Sequence, residues 1–413
     1  MFGLESQIVA EGRAINRVFQ ARGVAAMTGP DRVLVGGQSV VLFGLRRRRS
    51  VGLREIAGLL PDVAAAVSSV RRCPVRVRLA DDGAPVLEVP HPDPAPLRLP
   101  GGAWPAGRGA LLGRCYGFGG ARDLRVDLAV DPHLLIVAQT GGGKSSLLQL
   151  AALSLAWSAS PADLRLLLVD HKRESLLPLA DLPHVDSFSW RPSESAGALA
   201  WAAAEIDRRI AQGGTGPRVV VVIDELRAAL ADKSASAALD QIVSVGRALG
   251  VHCIAATQFV DFAGAIRANF TVRAVGPVVS AQAAVSAAGL PGSGAQYLPG
   301  AGAFVHVAGG AVARFQAYYL GADSVTAAVS ATAERWRGVV AESLPVAEQA
   351  PGAVAAAGVD PAVLAAVAPV WREGGSQAAM IRAAFGAGAN TGGANRTRVL
   401  AAVAALEAGA VVG

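Results

Sequence analysis

A glycine-rich turn between two apolar runs constrains the fold of this chain more than any other feature. Residues 134–150 read LLIVAQTGGGKSSLLQL. The part before the glycines is typical of a buried strand, and the part after Lys144 is typical of a helix. A strand that leads through a short turn into a helix is the repeating unit of parallel α/β proteins. The sequence therefore predicts an α/β fold with ligands at the carboxyl ends of its strands.

Further apolar runs predict the rest of a parallel sheet. Each is nearly continuous in aliphatic residues, as expected for strands that helices cover on both faces. The predicted strands are 134–138, 164–170, 218–224 and 251–257. Changes of composition along the chain divide it into four segments. These are a small leading domain at 1–104, the α/β domain at 105–342, a Pro/Ala/Gly-rich linker at 343–360 and a helix-rich domain at 361–413.

Composition limits the class of protein. Of the 413 residues, 52% are hydrophobic and only 17% are charged, so a buried core has ample material. No charge-free apolar stretch reaches the roughly 18 residues of a membrane-spanning helix, and the charged first segment is unlike a signal peptide. The three cysteines lie far apart, which argues against a disulfide framework or a multi-cysteine zinc site. We therefore expect a cytoplasmic protein.

The charge balance points to an anionic partner. Lys and Arg number 38 against 32 Asp and Glu, which gives a net charge of +6, and only three of the 38 are lysines. A positive net charge favours nucleic acid as a partner. A GC-rich genome would explain the excess of Arg over Lys but not the net charge. Composition alone leaves the partner open.

The glycine-rich turn has the pattern of a phosphate-binding loop. The pattern G-x-x-x-x-G-K-[ST] spans residues 138–145, with Ala138 at the first position. Backbone N–H groups of such a loop, and the start of the helix after it, bind phosphates. Lys144 would contact the β- and γ-phosphates, and the Ser145 hydroxyl would bind Mg²⁺. The residues predicted to bind ATP are Thr140, Gly141, Gly142, Gly143, Lys144, Ser145 and Ser146.

An acidic pair follows the third predicted strand, in VVVVIDEL at 219–226. Asp224 would hold Mg²⁺ together with Ser145, and Glu225 would orient or deprotonate the attacking water. On its own such a pair could be a solvated acidic turn, but the phosphate loop upstream favours a hydrolytic site.

The fourth predicted strand ends in Thr257 and Gln258. A polar side chain at that point can sense the γ-phosphate, although Gln258 could merely cap the strand. We predict Gln258 as a catalytic residue beside Lys144, Asp224 and Glu225.

These motifs, in this order, resemble the FtsK/SpoIIIE family of double-stranded DNA translocases. DPHLLIVAQTGGGKS at 131–145 is similar to the family's strand and Walker A loop. LRLLLVDHKRESL at 164–176 is similar to its strand with Asp-x-Lys and Glu. IDEL and then GRALGVHCIAATQ at 246–258 are similar to its Walker B and sensor strands. The end of the chain, at 398–413, resembles the close of its winged-helix domain.

The resemblance implies a RecA-like P-loop NTPase core with a small α+β N-terminal domain and a C-terminal winged-helix-like domain. It further implies a hexamer around duplex DNA that couples ATP hydrolysis to translocation. A trans-acting arginine would stabilise charge on the phosphate transferred in the neighbouring subunit. Arg247 stands where the family carries such an arginine, and Arg273 is the second candidate. Either could instead be an arginine of a helix surface or a sheet edge.

Two departures from the family pattern limit the kind of translocase that we expect. The membrane-spanning segment and long linker of the division translocases are not in this sequence, and little sequence lies between 164–176 and the acidic pair. We therefore expect a compact relative from a plasmid, phage or integrative element, or a protein recruited to a membrane partner.

Two basic segments are candidates for DNA contact. The four arginines at 46–49 form the densest charge run. Such a run is usually a solvated turn, and a phosphate or subunit contact is the alternative. Helices predicted at 361–371, 376–385 and 395–408 have loose helix-turn-helix spacing, with an Ala-rich dimerisation tail as the competing interpretation. The tail residues predicted to contact DNA are Arg382, Asn395, Arg396 and Arg398.

Taken together, the sequence predicts an ATP-driven double-stranded DNA translocase with ATP and Mg²⁺ as cofactors. Two alternatives remain open at this point. One is an ATP-switched DNA-binding or replication-initiation protein that assembles on a site without moving. The other is a pump for single strands or for proteins, of the wider HerA-like group.

Overall fold

The structure is a computed structural model, and it describes most of the chain. The described residues are 2–36, 40–67, 75–79, 84–91, 95–99, 103–117, 120–214, 216–300, 302–339, 361–372, 377–385, 399 and 403. They belong to two compact units, Met1–Ala341 and Glu342–Gly413. The predicted linker at 343–360 lies outside the described residues. The division into four segments stays a prediction.

The first part of the larger unit is a four-stranded antiparallel sheet with helices against it. The strands lie in the order β1-β2-β4-β3. They are β1 (Ala26–Gly36), β2 (Val40–Arg47), β3 (Arg76–Leu79) and β4 (Pro85–Pro90). The helices are α1 (Phe2–Ala21), α2 (Leu53–Gly58) and α3 (Leu60–Val67). Apolar side chains of the sheet and the helices form one core, which includes Ile15, Phe19, Phe43, Ile56 and Val63.

The rest of the larger unit is built on a ten-stranded sheet in the order β6-β5-β14-β13-β12-β7-β11-β10-β8-β9. The six strands from β12 to β9 are parallel to one another, and the other four pair antiparallel at one side, where β13 joins β12. The strands are β5 (Ala110–Gly117), β6 (Gly120–Val126), β7 (His133–Val137), β8 (Leu164–Asp170), β9 (Val185–Ser189), β10 (Arg218–Asp224), β11 (Val251–Thr257), β12 (Val272–Val275), β13 (Ala303–Ala308) and β14 (Ala311–Ala317).

All four strands predicted from apolar runs are confirmed in the centre of this sheet, as β7, β8, β10 and β11. Their residues are buried on both faces, which is why the sequence runs are nearly continuous instead of alternating. Leu134, Ile136, Val220 and Val222 face one core together with α4 (Lys144–Ser158). The residues between them face the opposite side of the sheet.

The helices connect the strands as in other α/β proteins. Besides α4 they are α5 (Pro192–Gln212), α6 (Leu226–Ala229), α7 (Lys233–Val245), α8 (Gly264–Asn269), α9 (Ala281–Ala288) and α10 (Ala322–Arg335). Short 3₁₀ turns occupy Leu177–Leu179, Gly246–Leu249 and Ala295–Tyr297. None of the helices in the described part of the chain has the length and apolar character needed to cross a bilayer.

The smaller unit contains two helices, α11 (Pro361–Arg372) and α12 (Gln377–Phe385). They confirm the helices predicted at 361–371 and 376–385 to within a residue. Residues 399 and 403 are also helical, but the remainder of the predicted helix at 395–408 lies outside the described residues. Val363, Val367, Ile381 and Val399 share a small apolar core. A winged-helix arrangement stays a prediction.

Candidate active site

The phosphate loop connects the end of β7 to the start of α4, and its conformation needs its glycines. Gly141 and Gly143 have φ of 77° and 93°, the left-handed region that L-residues rarely adopt. A Cβ on Gly142 would lie 3.0 Å from both the Ala138 Cβ and the Gln139 carbonyl oxygen. Gly143 is the residue before α4 and offers no side-chain cap. The N–H groups of the first turn are therefore left for an anion.

Lys144 is the first residue of α4 and forms a buried ion pair with Asp224. Its Nζ lies 2.5 Å from Oδ1 of Asp224, and the two side chains are only 10% and 5% exposed. Asp224 ends β10, which is separated from β7 by β11 alone. The fold thus brings residues 80 positions apart into contact at the carboxyl edge. A triphosphate would compete with Asp224 for the ammonium group.

Glu225 follows Asp224 in a strained backbone conformation. Its φ is 62° and its ψ is 67°, and only one other non-glycine residue of the described chain has a positive φ. Such a conformation costs on the order of 1 kcal/mol for an L-residue and is common at functional sites. The carboxylate accepts a hydrogen bond of 3.2 Å from Nε2 of Gln258. The Thr257 hydroxyl lies 3.4 Å from its other oxygen and 2.8 Å from the Phe259 carbonyl oxygen.

Gln258 joins this carboxylate to the phosphate loop. The Thr140 hydroxyl donates a hydrogen bond of 3.1 Å to Oε1 of Gln258, and Nε2 of the same amide donates to Glu225. Three loops, after β7, β10 and β11, are therefore linked through one side chain. The structure brings together five of the predicted residues, namely Thr140, Lys144, Asp224, Glu225 and Gln258. Ser145 and Ser146 lie half-buried in the first turn of α4.

The two candidate trans arginines differ sharply in their surroundings. Arg247 is exposed in the 3₁₀ turn before β11, at the sheet edge opposite to the phosphate loop. Arg273 in β12 is only 9% exposed, and its guanidinium donates to the carbonyl groups of Arg267, Phe270, Ser286 and Ala287. Burial lowers the pKa of Arg273. These contacts tie β12 to α9, which favours Arg247 for a role in a neighbouring subunit.

Comparison with known proteins gives the family. Residues 117–213, which include the phosphate loop, match the FtsK/SpoIIIE family. The DNA translocase FtsK of Clostridium tetani is 30% identical over 271 residues, 57% of this chain and 36% of that protein. The DNA translocase FtsK of Mycobacterium tuberculosis is 27% identical over 356 residues, 75% of this chain and 42% of that protein. Residues 117–213 of this chain are a segment of the FtsK/SpoIIIE family. The chain spans between 36% and 42% of the length of these two relatives.

A solved structure supports the fold of this chain. The structure of the pCW3 conjugation coupling protein TcpA, in a monomer form with ATPγS, matches with a TM-score of 0.52 at 16% identity. The match covers 78% of this chain and 99% of that one. The expected α/β core, with a large and mostly parallel sheet like that of the coupling protein, is confirmed.

The donor set of this site suits a hard cation. Ser145 and Asp224 both offer oxygen, which Mg²⁺ prefers, and Mg²⁺ is usually held by one or two protein oxygens together with phosphates and water. Within the described residues, no three His, Cys, Asp or Glu side chains are grouped as a metal cage. The oxygen atoms of Ser145 and Asp224 are thus of the kind that binds Mg²⁺.

The DNA-contact residues predicted in the tail are only partly described. Arg382 is exposed on α12. Asn395, Arg396 and Arg398 lie outside the described residues. In the leading domain, the arginines at 46–49 are exposed at and after the end of β2, and Arg46 forms an ion pair with Asp31. Both sets stay predictions as DNA contacts.

Sequence reasoning assigned no role to Asp170, which organises the loop after β8. Its carboxylate accepts hydrogen bonds from five successive backbone N–H groups, those of Lys172, Arg173, Glu174, Ser175 and Leu176. Asp170 pairs directly with Asp224 in the sheet register. The sequence signals were a buried strand that ends in Asp and the similarity of 164–176 to the family's strand with Asp-x-Lys and Glu. Neither signal indicates the path of the loop, and an Asp after a strand is more often a turn former.

Proposed function

We propose that this chain is an ATP-dependent motor that translocates double-stranded DNA. The observation that carries the proposal is the assembled constellation of Lys144, Asp224, Glu225 and Gln258 at the carboxyl edge of a parallel sheet. The match of residues 117–213 to the FtsK/SpoIIIE family, with relatives named DNA translocases, supports DNA as the substrate. The positive net charge is in keeping with it.

The proposed roles follow from the contacts. Phosphates bind to the loop N–H groups and to Lys144, whose ammonium then leaves Asp224. Mg²⁺, held by Ser145 and Asp224 when it is bound, supplies positive charge to the phosphate oxygens. Glu225 orients or deprotonates the attacking water, and the amide of Gln258 relays the presence of the γ-phosphate from Thr140 to Glu225.

The finer features of the motor belong to the same proposal. We propose a ring, expected to be a hexamer, in which Arg247 reaches the nucleotide of the neighbouring subunit. The exposure of Arg247 and the buried carbonyl contacts of Arg273 support this choice. The compact core favours a role in a mobile element or DNA-transfer system. The cytoplasmic location inferred from the sparse cysteines stays a prediction.

ATP hydrolysis measured with and without duplex DNA tests the proposal. We expect duplex to stimulate hydrolysis and Lys144→Ala to reduce it on the order of 100-fold or more, because the phosphates lose their buried counter-charge. Lys233→Ala, at an exposed lysine at the start of α7, is the matched control and should leave the rate unchanged. Absence of hydrolysis with any nucleic acid would refute the proposal.

A further inference from the structure

An exposed basic and aromatic surface lies beyond the active site, at the β9 end of the same sheet edge. It consists of Lys172 and Arg173 in the loop after β8, and Trp190 and Arg191 just before α5; we call it the Arg–Trp surface. Lys172, Arg173 and Arg191 are exposed and Trp190 is half-buried. The active-site contacts described above use none of these four side chains.

The loop that carries Lys172 and Arg173 is held in one conformation. The Asp170 carboxylate accepts five backbone N–H groups from residues 172–176. Arg173 has a φ of 56°, a conformation that costs an L-residue on the order of 1 kcal/mol. A glycine would adopt it without strain, yet this chain has an arginine there. A strained residue that presents an exposed cation points to a binding role.

The second half of the surface is fixed to the first. His171 Nε2 lies 2.8 Å from the Ser195 hydroxyl, which itself donates a 3.1 Å hydrogen bond to the Arg191 carbonyl oxygen. Glu194 accepts the backbone N–H groups of Trp190 and Arg191, each at 3.2 Å. A surface fixed before binding loses little conformational entropy when a ligand arrives.

Both arginines stack on the indole ring of Trp190. The guanidinium carbon of Arg173 lies 4.7 Å from the ring centroid, and that of Arg191 lies 4.5 Å from it. A stacked guanidinium keeps the N–H groups at its rim for bidentate bonds to phosphate oxygens. Arg191 also has a 3.4 Å contact with Glu194, and Glu174 is exposed on the same loop. No acidic side chain forms an ion pair with Lys172 or Arg173 in the described ranges, so the surface is net basic.

The position of the Arg–Trp surface determines which phosphate groups it can contact. Trp190 follows β9, which lies two strands from β10, or about 10 Å from the strand that carries Asp224. Both guanidinium groups lie over the Trp190 ring, at the β9 end of this edge. The surface is nevertheless attached to the phosphate-loop helix, because Nε2 of Gln149 in α4 donates a 2.5 Å hydrogen bond to the Ser175 carbonyl oxygen.

We infer that the Arg–Trp surface binds the phosphate backbone of duplex DNA. The inference rests on the proposed function, since it names a contact of that motor with its substrate. The link from Ser175 to Gln149 makes it a contact that responds to the state of the phosphate loop. The Arg–Trp surface should recognise no base sequence, because stacked arginines contact phosphate groups and not the edges of bases.

Duplex affinity of the full chain, measured by fluorescence anisotropy at about 50 to 200 mM salt, tests the inference. Arg173→Gln with Arg191→Gln should bind duplex of any sequence more weakly. The slope of log K against log salt should become shallower by about 0.9 for each phosphate that the variant no longer neutralises. Affinity for a fluorescent ATP analogue should be unchanged.

Arg335→Gln with Arg337→Gln is the matched control. It removes the same charge from two exposed arginines at the end of α10, of which Arg335 also stacks on tryptophan and Arg337 also pairs with a glutamate. This control should keep the slope of the unsubstituted chain. If the double variant at the surface folds poorly, Arg173→Gly replaces it. Glycine adopts the left-handed backbone at residue 173 without strain, and the loss of one charge should make the slope shallower by about 0.9.

Three outcomes overturn the inference. An unchanged slope in both surface variants, with normal duplex binding by the unsubstituted chain, refutes it and leaves the proposed function intact. If the surface variants bind the ATP analogue more weakly but keep the duplex slope, the surface binds nucleotide phosphate, and the inference is refuted as well. Absence of duplex binding by the unsubstituted chain refutes the proposed function together with the inference.

Discussion

Glu225 is the residue to which the proposed mechanism assigns the activation of water. Its backbone is held in a left-handed conformation directly after β10, where its carboxylate meets Gln258. The contact partner of Lys144 is the neighbouring Asp224 and not Glu225. In the proposed mechanism Asp224 pairs with the lysine that binds phosphate, and Glu225 activates water. A substitution at Glu225 should therefore affect hydrolysis and leave nucleotide binding in place.

We predict that Glu225→Gln lowers duplex-stimulated ATP hydrolysis about 100- to 10,000-fold, since the amide cannot accept a proton from water. Nucleotide affinity should change little because Lys144, Asp224 and the loop glycines are intact. Steady-state hydrolysis and fluorescent nucleotide binding check the two expectations. The exposed Glu174→Gln is the control. A fall in nucleotide affinity in parallel with hydrolysis would contradict the assigned role.

Two buried histidines make the fold sensitive to acid. His133 in β7 and His252 in β11 have ring centroids 6.2 Å apart. Burial lowers the pKa of His133 to about 3, and repulsion from His252 adds to this effect. Burial lowers the pKa of His252 to about 4, and repulsion from Arg218 adds to this effect. The unfolded chain, with a histidine pKa near 6.5, takes up protons first as the pH falls. Stability is therefore full above about pH 6.5 and declines towards pH 4.

When the pH falls from 7 to 5, each of these histidines should lower the free energy of unfolding by about 2 kcal/mol. Thermal unfolding at the two pH values measures the decrease. His252→Asn, which can still donate to the Pro132 carbonyl group, should show a smaller drop in the melting midpoint. The half-exposed His171→Asn serves as control and should keep the drop. An equal drop in His252→Asn would contradict the assignment.

Several of these residue roles could not be predicted from the sequence. Asp224, Glu225 and Gln258 were predictable because each follows a strongly apolar run, and such runs end at one edge of a parallel sheet. The carbonyl contacts of Arg273 depend on how α9 packs against β12, for which a short run such as VRAV gives no signal. The five N–H groups around Asp170 depend on the path of the following loop.

At the scale of elements, Arg209 holds α5 to the amino ends of β10 and β11. It is only 1% exposed, and it bonds Glu205 at 2.7 Å, the Leu249 carbonyl oxygen at 2.5 Å and the Pro217 carbonyl oxygen at 2.7 Å. The pKa of Glu205 is lowered by Arg208 and Arg209 against the effect of its own burial. The buried ion pair between Glu205 and Arg209 was not predicted from the sequence.

We predict that Arg209→Leu lowers the free energy of unfolding by about 3 to 5 kcal/mol, because two carbonyl groups and a carboxylate lose a buried partner. Chemical denaturation measures this value. The neighbouring Arg208→Leu, whose side chain is 37% exposed, is the matched control and should be much less destabilised. Equal destabilisation of the two variants would show that Arg209 has no special part in joining α5 to the sheet.

The elements that were predicted and those that were missed differ in burial. The four central strands have long apolar runs because helices cover both of their faces. The antiparallel strands β6 and β14 have partly exposed residues and include charged ones such as Arg122 and Arg314, so they did not stand out. In the smaller unit, α11 and α12 were predictable from apolar spacing, whereas their arrangement with the rest of the tail was not.

At the scale of the whole molecule, the larger unit combines an antiparallel domain with the nucleotide-binding sheet. A buried ion pair of 2.5 Å joins Glu88 of β4 to Arg314 of β14. The Arg76 guanidinium lies 4.1 Å from the centre of the Tyr297 ring. Side-chain contacts therefore join the two sheets within the larger unit.

Displacement of a third strand from duplex DNA tests the central claim most directly. A DNA motor strips a bound third strand as it advances, whereas a protein that only assembles on a site leaves it in place. We predict displacement by the unsubstituted chain with ATP, and none with ATPγS or in Lys144→Ala. Hydrolysis of ATP on duplex without any displacement would contradict the claim and favour an ATP-switched DNA-binding protein.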